Sequence, residues 1–240
     1  MKITEITSVK NPTAIEVSEL KKKGNKDGFL LEGDKFIRDL PNGSIIKVFT
    51  TDTEKYADVI AKSEEAFSVS QSVMDKITDS VSQSSLCAVV RKLNAERPEK
   101  LLLLDGIQDP GNVGTMIRTA HAFGFGVVCG DGCANPFLPK AVRSSVGAVT
   151  SAYVEKAELC EYIKALKKDG FEVCGTALDD KSLPLCKNES EHFAAVIGSE
   201  GNGISPPVRA LCDKTYYIPI KNVESLNASV AAAIVIYANA

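Results

Sequence analysis

No apolar run in this 240-residue chain is long enough to cross a bilayer: the longest, Ala228 to Ala238, is short and carries Ser229. The opening Met1-Lys-Ile-Thr-Glu-Ile has no apolar core of the kind a signal peptide needs. The seven cysteines have no regular spacing, and the tightest pair, Cys129 and Cys133, has no matching second pair and no nearby histidine. That argues against zinc, so no metal is expected. Dispersed thiols, odd in number, fit a reducing cytosol better than a disulfide scaffold. Charge of one sign is also missing: the net value of −3 excludes a generally basic coat for nucleic acid, while leaving room for a local basic patch. The chain reads as a cytoplasmic protein without membrane association.

Neither of the common glycine fingerprints for phosphate is present. Gly198, Gly201 and Gly203 are not followed by Gly-Lys-Ser/Thr. They also sit late in the chain, with Pro206 and Pro207 close behind, which excludes a dinucleotide-binding turn. There is no internal repeat and no low-complexity tract. What is present is a change of rhythm. Residues 1–93 read as a small αβ unit, with helices expected near Ala14–Lys23, Lys35–Leu40 and 52–62, and strands near Gly28–Gly33, Ile45–Thr50, Phe67–Ser70 and Leu86–Arg91. Residues 94–100, charged and containing Pro98, read as a linker. From 101 to 240, short apolar runs alternate with helical patterns. Strands are expected at Leu101–Leu104, Gly126–Cys129, Ser151–Val154, Glu172–Gly175, Ala194–Ile197 and Tyr216–Ile218, with helices over 113–123, 139–148, 158–168, 206–211 and 228–238. Such alternation predicts an α/β domain with a mostly parallel sheet covered on both faces.

Three loops in this second half each follow an apolar run and lead towards a helix, where ligands bind in open α/β sheets. In Asp109-Pro-Gly-Asn-Val-Gly114, Asn112 is positioned to cap a helix. Val113, Met116, Ile117, Ala120 and Phe123 share that helix's apolar face, and Arg118 projects away from it, either into solvent or towards a phosphate. In Ile197-Gly-Ser-Glu-Gly-Asn-Gly203, glycines surround one acid, Glu200, in a tight turn or a ligand cradle. The third loop, Ile218 to Asn227, ends in Ser225-Leu226-Asn227 before an almost wholly apolar helix; Ser225 or Asn227 caps it or faces a shared cleft. A fourth segment, Pro139-Lys140-Ala-Val-Arg143, puts two cations one turn apart.

Together these segments resemble the SpoU-type (TrmH-like) RNA 2′-O-ribose methyltransferases of the SPOUT superfamily. Leu104 through Gly114 with Arg118 is similar to the family's first motif, Val196–Ile204 to its second, Ile218–Ala231 to its third, and Pro139–Gly147 to its interior helix. Ile6–Pro12 and Phe29–Gly33 resemble the family's ribosomal-protein-like RNA-binding domain, so the likeness covers nearly the whole chain. It implies a C-terminal domain with a deep trefoil knot, an exception to unknotted topology. It further implies S-adenosylmethionine at Thr176, Ala177, Gly198, Ile218, Ile220 and Leu226, and catalysis by Arg118, Asn112, Glu200, Ser225 and Asn227. The implied reaction is methyl transfer to a ribose 2′-hydroxyl of structured RNA, ribosomal RNA ahead of transfer RNA, by a homodimer. RNA contacts are expected at Lys10, Lys21, Lys22, Lys26, Lys35, Arg38, Lys140 and Arg143. Two departures stand out: the third-motif loop is one residue shorter than in many relatives, and Asn222 stands near where a glycine is common. The alternative is a non-catalytic RNA-binding or ribosome-assembly factor that keeps the fold.

Overall fold

The computed structural model describes residues 2–79, 83–178 and 181–240. Its chain divides into two compact units: residues 1–93 with 135–151, and residues 94–134 with 152–240.

The first unit is built on a five-stranded mixed sheet in the order β1-β4-β3-β5-β2. Its elements are β1 (Ile3–Ile6), α1 (Pro12–Lys23), β2 (Phe29–Glu32), α2 (Asp34–Arg38), β3 (Ile45–Thr50), α3 (Ala57–Ile60), β4 (Glu65–Val69), α4 (Gln71–Ile77) and β5 (Leu86–Val90). Helix α1 starts where Asn11 accepts a hydrogen bond from the Thr13 N–H and Pro12 presets the first turn; it ends on three lysines that suit the helix dipole. Ala14 and Val17 turn inward onto a core that includes Ile6, Met74, Ile77 and the stacked rings of Phe49 and Phe67. Two elements lie outside the sequence expectation. Strand β1 exposes three of its four residues and so has no apolar run to betray it, and α4 is only seven residues long.

The second unit carries a seven-stranded sheet in the order β10-β12-β9-β11-β6-β7-β8. Its elements are β6 (Lys100–Asp105), α5 (Pro110–Ala122), β7 (Gly126–Cys129), β8 (Val154–Lys156), α7 (Leu159–Lys168), β9 (Glu172–Thr176), β10 (Leu183–Pro184), β11 (Phe193–Gly198), α8 (Pro206–Arg209), β12 (Lys214–Tyr217) and α9 (Ala228–Ala238). Helix α6 (Pro139–Ser144) lies between β7 and β8 in the chain but belongs to the first unit. Every strand pairing described in this sheet is parallel, as the alternation of strand and helix predicts. The central strands are buried on both faces: Leu101 to Leu104 and Ala194 to Val196 are all but inaccessible. Strands β6 and β11 are neighbours although β7 to β10 intervene in the chain, so the strand order switches at their C-terminal ends.

Local chemistry moves some expected boundaries. Helix α5 begins at Pro110 rather than 113, because Asp109, not Asn112, is its cap. The helix expected over 139–148 ends at Ser144, since Val146 and Gly147 take positive φ values of 54° and 79°. Strand β8 begins at Val154, where the expected strand ended, and β12 ends at Tyr217, before Ile218. Residues 135–151, expected within the C-terminal domain, belong to the first unit. There Asn135 Nδ2 donates to the Gly24 carbonyl at 2.7 Å, the Phe137 ring meets Phe29 at 5.4 Å, and the Leu93 N–H donates to the Thr150 carbonyl at 2.8 Å. No helix among the described residues is long and apolar enough to cross a membrane.

Candidate functional site

The three loops leave the C-terminal ends of β6, β11 and β12, all in the second unit. Asp109 caps α5 by accepting the Asn112 N–H at 2.9 Å, and Pro110 occupies the first turn. Capping therefore does not employ the Asn112 side chain, contrary to the simplest sequence reading. Its Nδ2 instead donates to Glu200 Oε1 in the second loop, and its Oδ1 accepts from Asn227 Nδ2 at 3.2 Å in the third. Asn227 in turn caps α9, its Oδ1 accepting from the Ser229 and Val230 N–H groups and from the Ser229 hydroxyl. The chain of bonds has one consistent direction. Backbone donors require an oxygen at one end and a carboxylate requires a donor at the other, so both amide orientations are fixed. Asn112, Glu200 and Asn227 thus form one unit drawn from three distant stretches of sequence.

The second loop is shaped by a close backbone approach. Ser199 and Gly203 exchange N–H···O bonds of 3.1 and 2.9 Å, folding the loop back over Gly198. A Cβ on Gly198 would lie 2.0 Å from the Gly203 carbonyl carbon, so only glycine fits there, and Gly203 itself takes φ +63°. The exit of the loop is pinned by Asp105, at the end of β6, which accepts the Ser205 N–H at 2.6 Å. In the third loop Asn222 takes φ 66°, a left-handed value that asparagine tolerates better than most residues. This accounts for asparagine where a glycine is common.

Beneath these loops lies a cavity of about 360 Å³, within the roughly 300–1,000 Å³ typical of small-molecule sites. All six residues expected to hold the cofactor line it: Thr176, Ala177, Gly198, Ile218, Ile220 and Leu226. Glu200 and Ser225 line it as well, whereas Asn112, Asn227 and Arg118 do not. Its floor is tied together across strands, with Thr176 Oγ1 donating to the Val196 carbonyl at 3.1 Å and the Ala177 N–H to the Tyr216 carbonyl at 3.0 Å. The mix of strand-end backbone, aliphatic side chains and a few hydroxyls suits a nucleoside with a polar tail. Sequence reasoning missed Asp105, Arg209 and Tyr216; none stands out by residue type, and each is brought in by the sheet order. Burial, followed by the nearby Cys174 and Cys186 thiols, pushes the Tyr216 phenol up to about 12.

Arg118 lies on the exposed side of α5, and its side chain makes no hydrogen bond or ion pair with a described residue. An arginine held one turn beyond a glycine loop and left unpaired is available to an anion. The cations expected to contact RNA all fall in the first unit, and several already have partners there. Lys21 Nζ donates to the Thr78 carbonyl, Arg38 pairs with Asp58, Lys22 lies 3.7 Å from Glu19, and Arg143 lies 3.7 and 3.5 Å from Glu32 and Asp79. The side chains of Lys10, Lys26 and Lys35 make no such bond with a described residue. Lys140, on the exposed side of α6, does have an interaction.

A model of the SpoU rRNA Methylase family matches residues 99–237. The 23S rRNA (guanosine(2553)-2′-O)-methyltransferase RlmP of Bacillus subtilis is 34% identical, over 97% of this chain and 98% of that protein. The 23S rRNA (guanosine-2′-O-)-methyltransferase RlmB of Coxiella burnetii is 31% identical, over 78% and 71% respectively. Among solved structures, the AdoMet-bound rRNA methyltransferase from Sinorhizobium meliloti superposes with a TM-score of 0.85 at 25% identity, covering 98% of this chain and 96% of that one.

Proposed function

Because the chain belongs to the SpoU rRNA Methylase family, we propose that it transfers a methyl group from S-adenosylmethionine to the 2′-hydroxyl of a ribose in ribosomal RNA. The observation that carries this reading is the bonded unit of Asn112, Glu200 and Asn227, whose Glu200 lines the same cavity as all six expected cofactor residues. A factor that only bound RNA would have no use for that arrangement, which sets aside the assembly-factor alternative. The similar RlmP and RlmB proteins are named as guanosine methyltransferases of 23S rRNA, and we extend that target class to this chain.

The cofactor supplies a sulfonium-bound methyl group, an electrophile that needs no metal to activate it. What the protein contributes is mostly alignment of the two partners, the largest effect available to a bimolecular displacement. Arg118 binds the phosphate beside the target ribose and stabilises the negative charge that builds on the 2′-oxygen as its proton leaves; a guanidinium's high pKa makes it a poor base but a constant cation. Asn112, locked between Glu200 and Asn227, sets the ribose against the methyl group, and Ser225 completes the pocket rim. Lys10, Lys26 and Lys35, with Lys21, Lys22, Arg38, Lys140 and Arg143 around them, form the RNA-gripping face of the first unit, residues 1–93 with 135–151, while the second unit, residues 94–134 with 152–240, is the catalytic domain. We take that catalytic domain to carry the deep trefoil knot that the family resemblance implies. The chain acts in the cytoplasm as a homodimer. Exposed Phe123, Val230, Ile234 and Tyr237 support that assembly, since residues 230, 234 and 237 fall on one side of α9 and Phe123 meets Tyr237 edge-on at 6.1 Å.

The test is methyl transfer from radiolabelled S-adenosylmethionine to unmodified ribosomal RNA, followed by digestion to nucleosides. We expect label in a 2′-O-methylated guanosine with the wild type, and at least about a 100-fold loss with Arg118→Ala. Cofactor binding without transfer to any RNA would sink the catalytic reading.

A further inference from the structure

We propose that Asp105 and Cys133 are positioning residues for methyl transfer: together they set the register between the first and second loops, and with it the bond of Glu200 to Asn112. The inference rests on the methyltransferase reading. Strands β6 and β11 run side by side up to their last paired residues, Asp105 and Gly198. Beyond that point the two loops part. Near their base the Ser205 N–H donates to the Asp105 carboxylate at 2.6 Å, and further along Asn112 donates to Glu200.

Glu200 lies in the chain between Gly198, which faces Asp105 across the sheet, and Ser205, which is bonded to it. The segment that carries Glu200 is thus tied at both ends to one residue. The paired bonds of Ser199 with Gly203 make that segment a closed turn that moves as a unit. Without the Ser205 tie it would pivot at Gly198 and carry Glu200 away from Asn112. A carboxylate suits the task, since an ionised acceptor makes a shorter and stronger bond than a neutral one.

Asp105 holds this tie only if its own turn is fixed. The next residue, Gly106, takes φ +68° and has no side chain to pack. Cys133, on the loop after β7, supplies the brace. Its Sγ donates to the Leu104 carbonyl at 3.1 Å and accepts the Ile107 N–H at 3.3 Å, so one atom closes the turn on both sides of Asp105. Backbone bonds repeat the grip, from the Gly130 N–H to the Leu104 carbonyl and from the Ala134 N–H to the Ile107 carbonyl, each at 2.8 Å. Burial pushes the Cys133 thiol above its usual value, so it keeps the proton it donates.

The test follows methyl transfer by the full chain to unmodified ribosomal RNA at saturating S-adenosylmethionine. Asp105→Ala should lower kcat by about 10- to 100-fold, the scale of a small misplacement of reacting groups. Asp105→Asn keeps an acceptor oxygen and should recover most of that loss. Ser205→Pro removes the donor instead: Ser205 already has φ −61°, which proline adopts, and its carbonyl still accepts the Arg209 N–H. It should match Asp105→Ala, so the prediction stands on two variants that alter different residues. Cys133→Ala should fall in the same direction, and Cys133→Ser, which can both donate and accept, should stay near wild type.

A double variant separates positioning from a merely structural role. If Asp105 acts through the bond of Asn112 with Glu200, adding Asp105→Ala to Asn112→Ala should change kcat by no more than about 2-fold, whereas independent effects would multiply. Multiplied losses, an asparagine variant as poor as the alanine one, or an Asp105→Ala as active as wild type would each overturn the assignment. A wild type that transfers no methyl group to RNA would overturn the methyltransferase reading itself, and this inference with it.

Discussion

Asparagine at position 112 has two possible uses, and the structure separates them. Asp109 satisfies the free N–H at the start of α5, so Asn112 can spend its amide on Glu200 and Asn227. Stability and activity should therefore come apart at these neighbouring residues. Asn112→Ala should lower methyl transfer by about 100-fold, the scale of a lost alignment, with little change in melting temperature. Asp109→Ala should remove a helix cap, cost about 1 kcal/mol in urea unfolding and leave most of the activity. The reverse pattern would return Asn112 to the role of a structural cap. The residue types of this unit can be read from the sequence, since three short motifs display them. Their bonding cannot, because the contacts join positions 88 and 115 residues apart. Asn227 is the instructive case: it was open as a cap or as a cleft residue, and its Oδ1 caps α9 while its Nδ2 donates to Asn112.

At the scale of elements, the second loop is a backbone device more than a set of side chains. Gly198 has no room for a methyl group, whereas a Cβ on Gly201 would meet nothing within 4 Å. Gly198→Ala should force the Ser199–Gly203 bridge open, lower the melting temperature and abolish measurable cofactor binding. Gly201→Ala should leave both near wild type, and calorimetry with S-adenosylhomocysteine checks the pair; equal behaviour of the two variants would refute the close-approach argument. The sequence shows both glycines identically. Only the return of the loop over the end of β11 tells them apart. The same limit applies to other elements. The parallel sheet was legible because buried strands such as Leu101–Leu104 form continuous apolar runs, while β1, with three of four residues exposed, leaves no such trace. Helix α6 looked longer than it is because the sequence pattern does not register the positive φ at Val146.

For the whole molecule, the division into two units was legible as a change of rhythm near residue 94, but the return of residues 135–151 to the first unit was not. That return depends on tertiary contacts such as Asn135 with Gly24 and Phe137 with Phe29, which no local pattern encodes. Assembly is the remaining question at this scale, and α9 frames it. Its sequence is apolar nearly all round, which fits burial on two sides, yet within one chain only Ala228, Ser229, Ala232, Val235 and Ile236 are buried. Val230 remains 48% exposed and Tyr237 75% exposed, beside Phe123 at 42%. A second copy of the chain would cover this face. Tyr237→Glu places a charge in its middle, and burying an unpaired carboxylate opposes association strongly. Sedimentation of the wild type should give a dimer and the variant a monomer at the same concentration. Because Tyr237 lines no part of the cofactor cavity, the monomer should still bind S-adenosylmethionine, while methyl transfer to RNA should fall if two copies build the RNA site. A wild type that sediments as a monomer, or a variant that stays dimeric, would move the interface elsewhere.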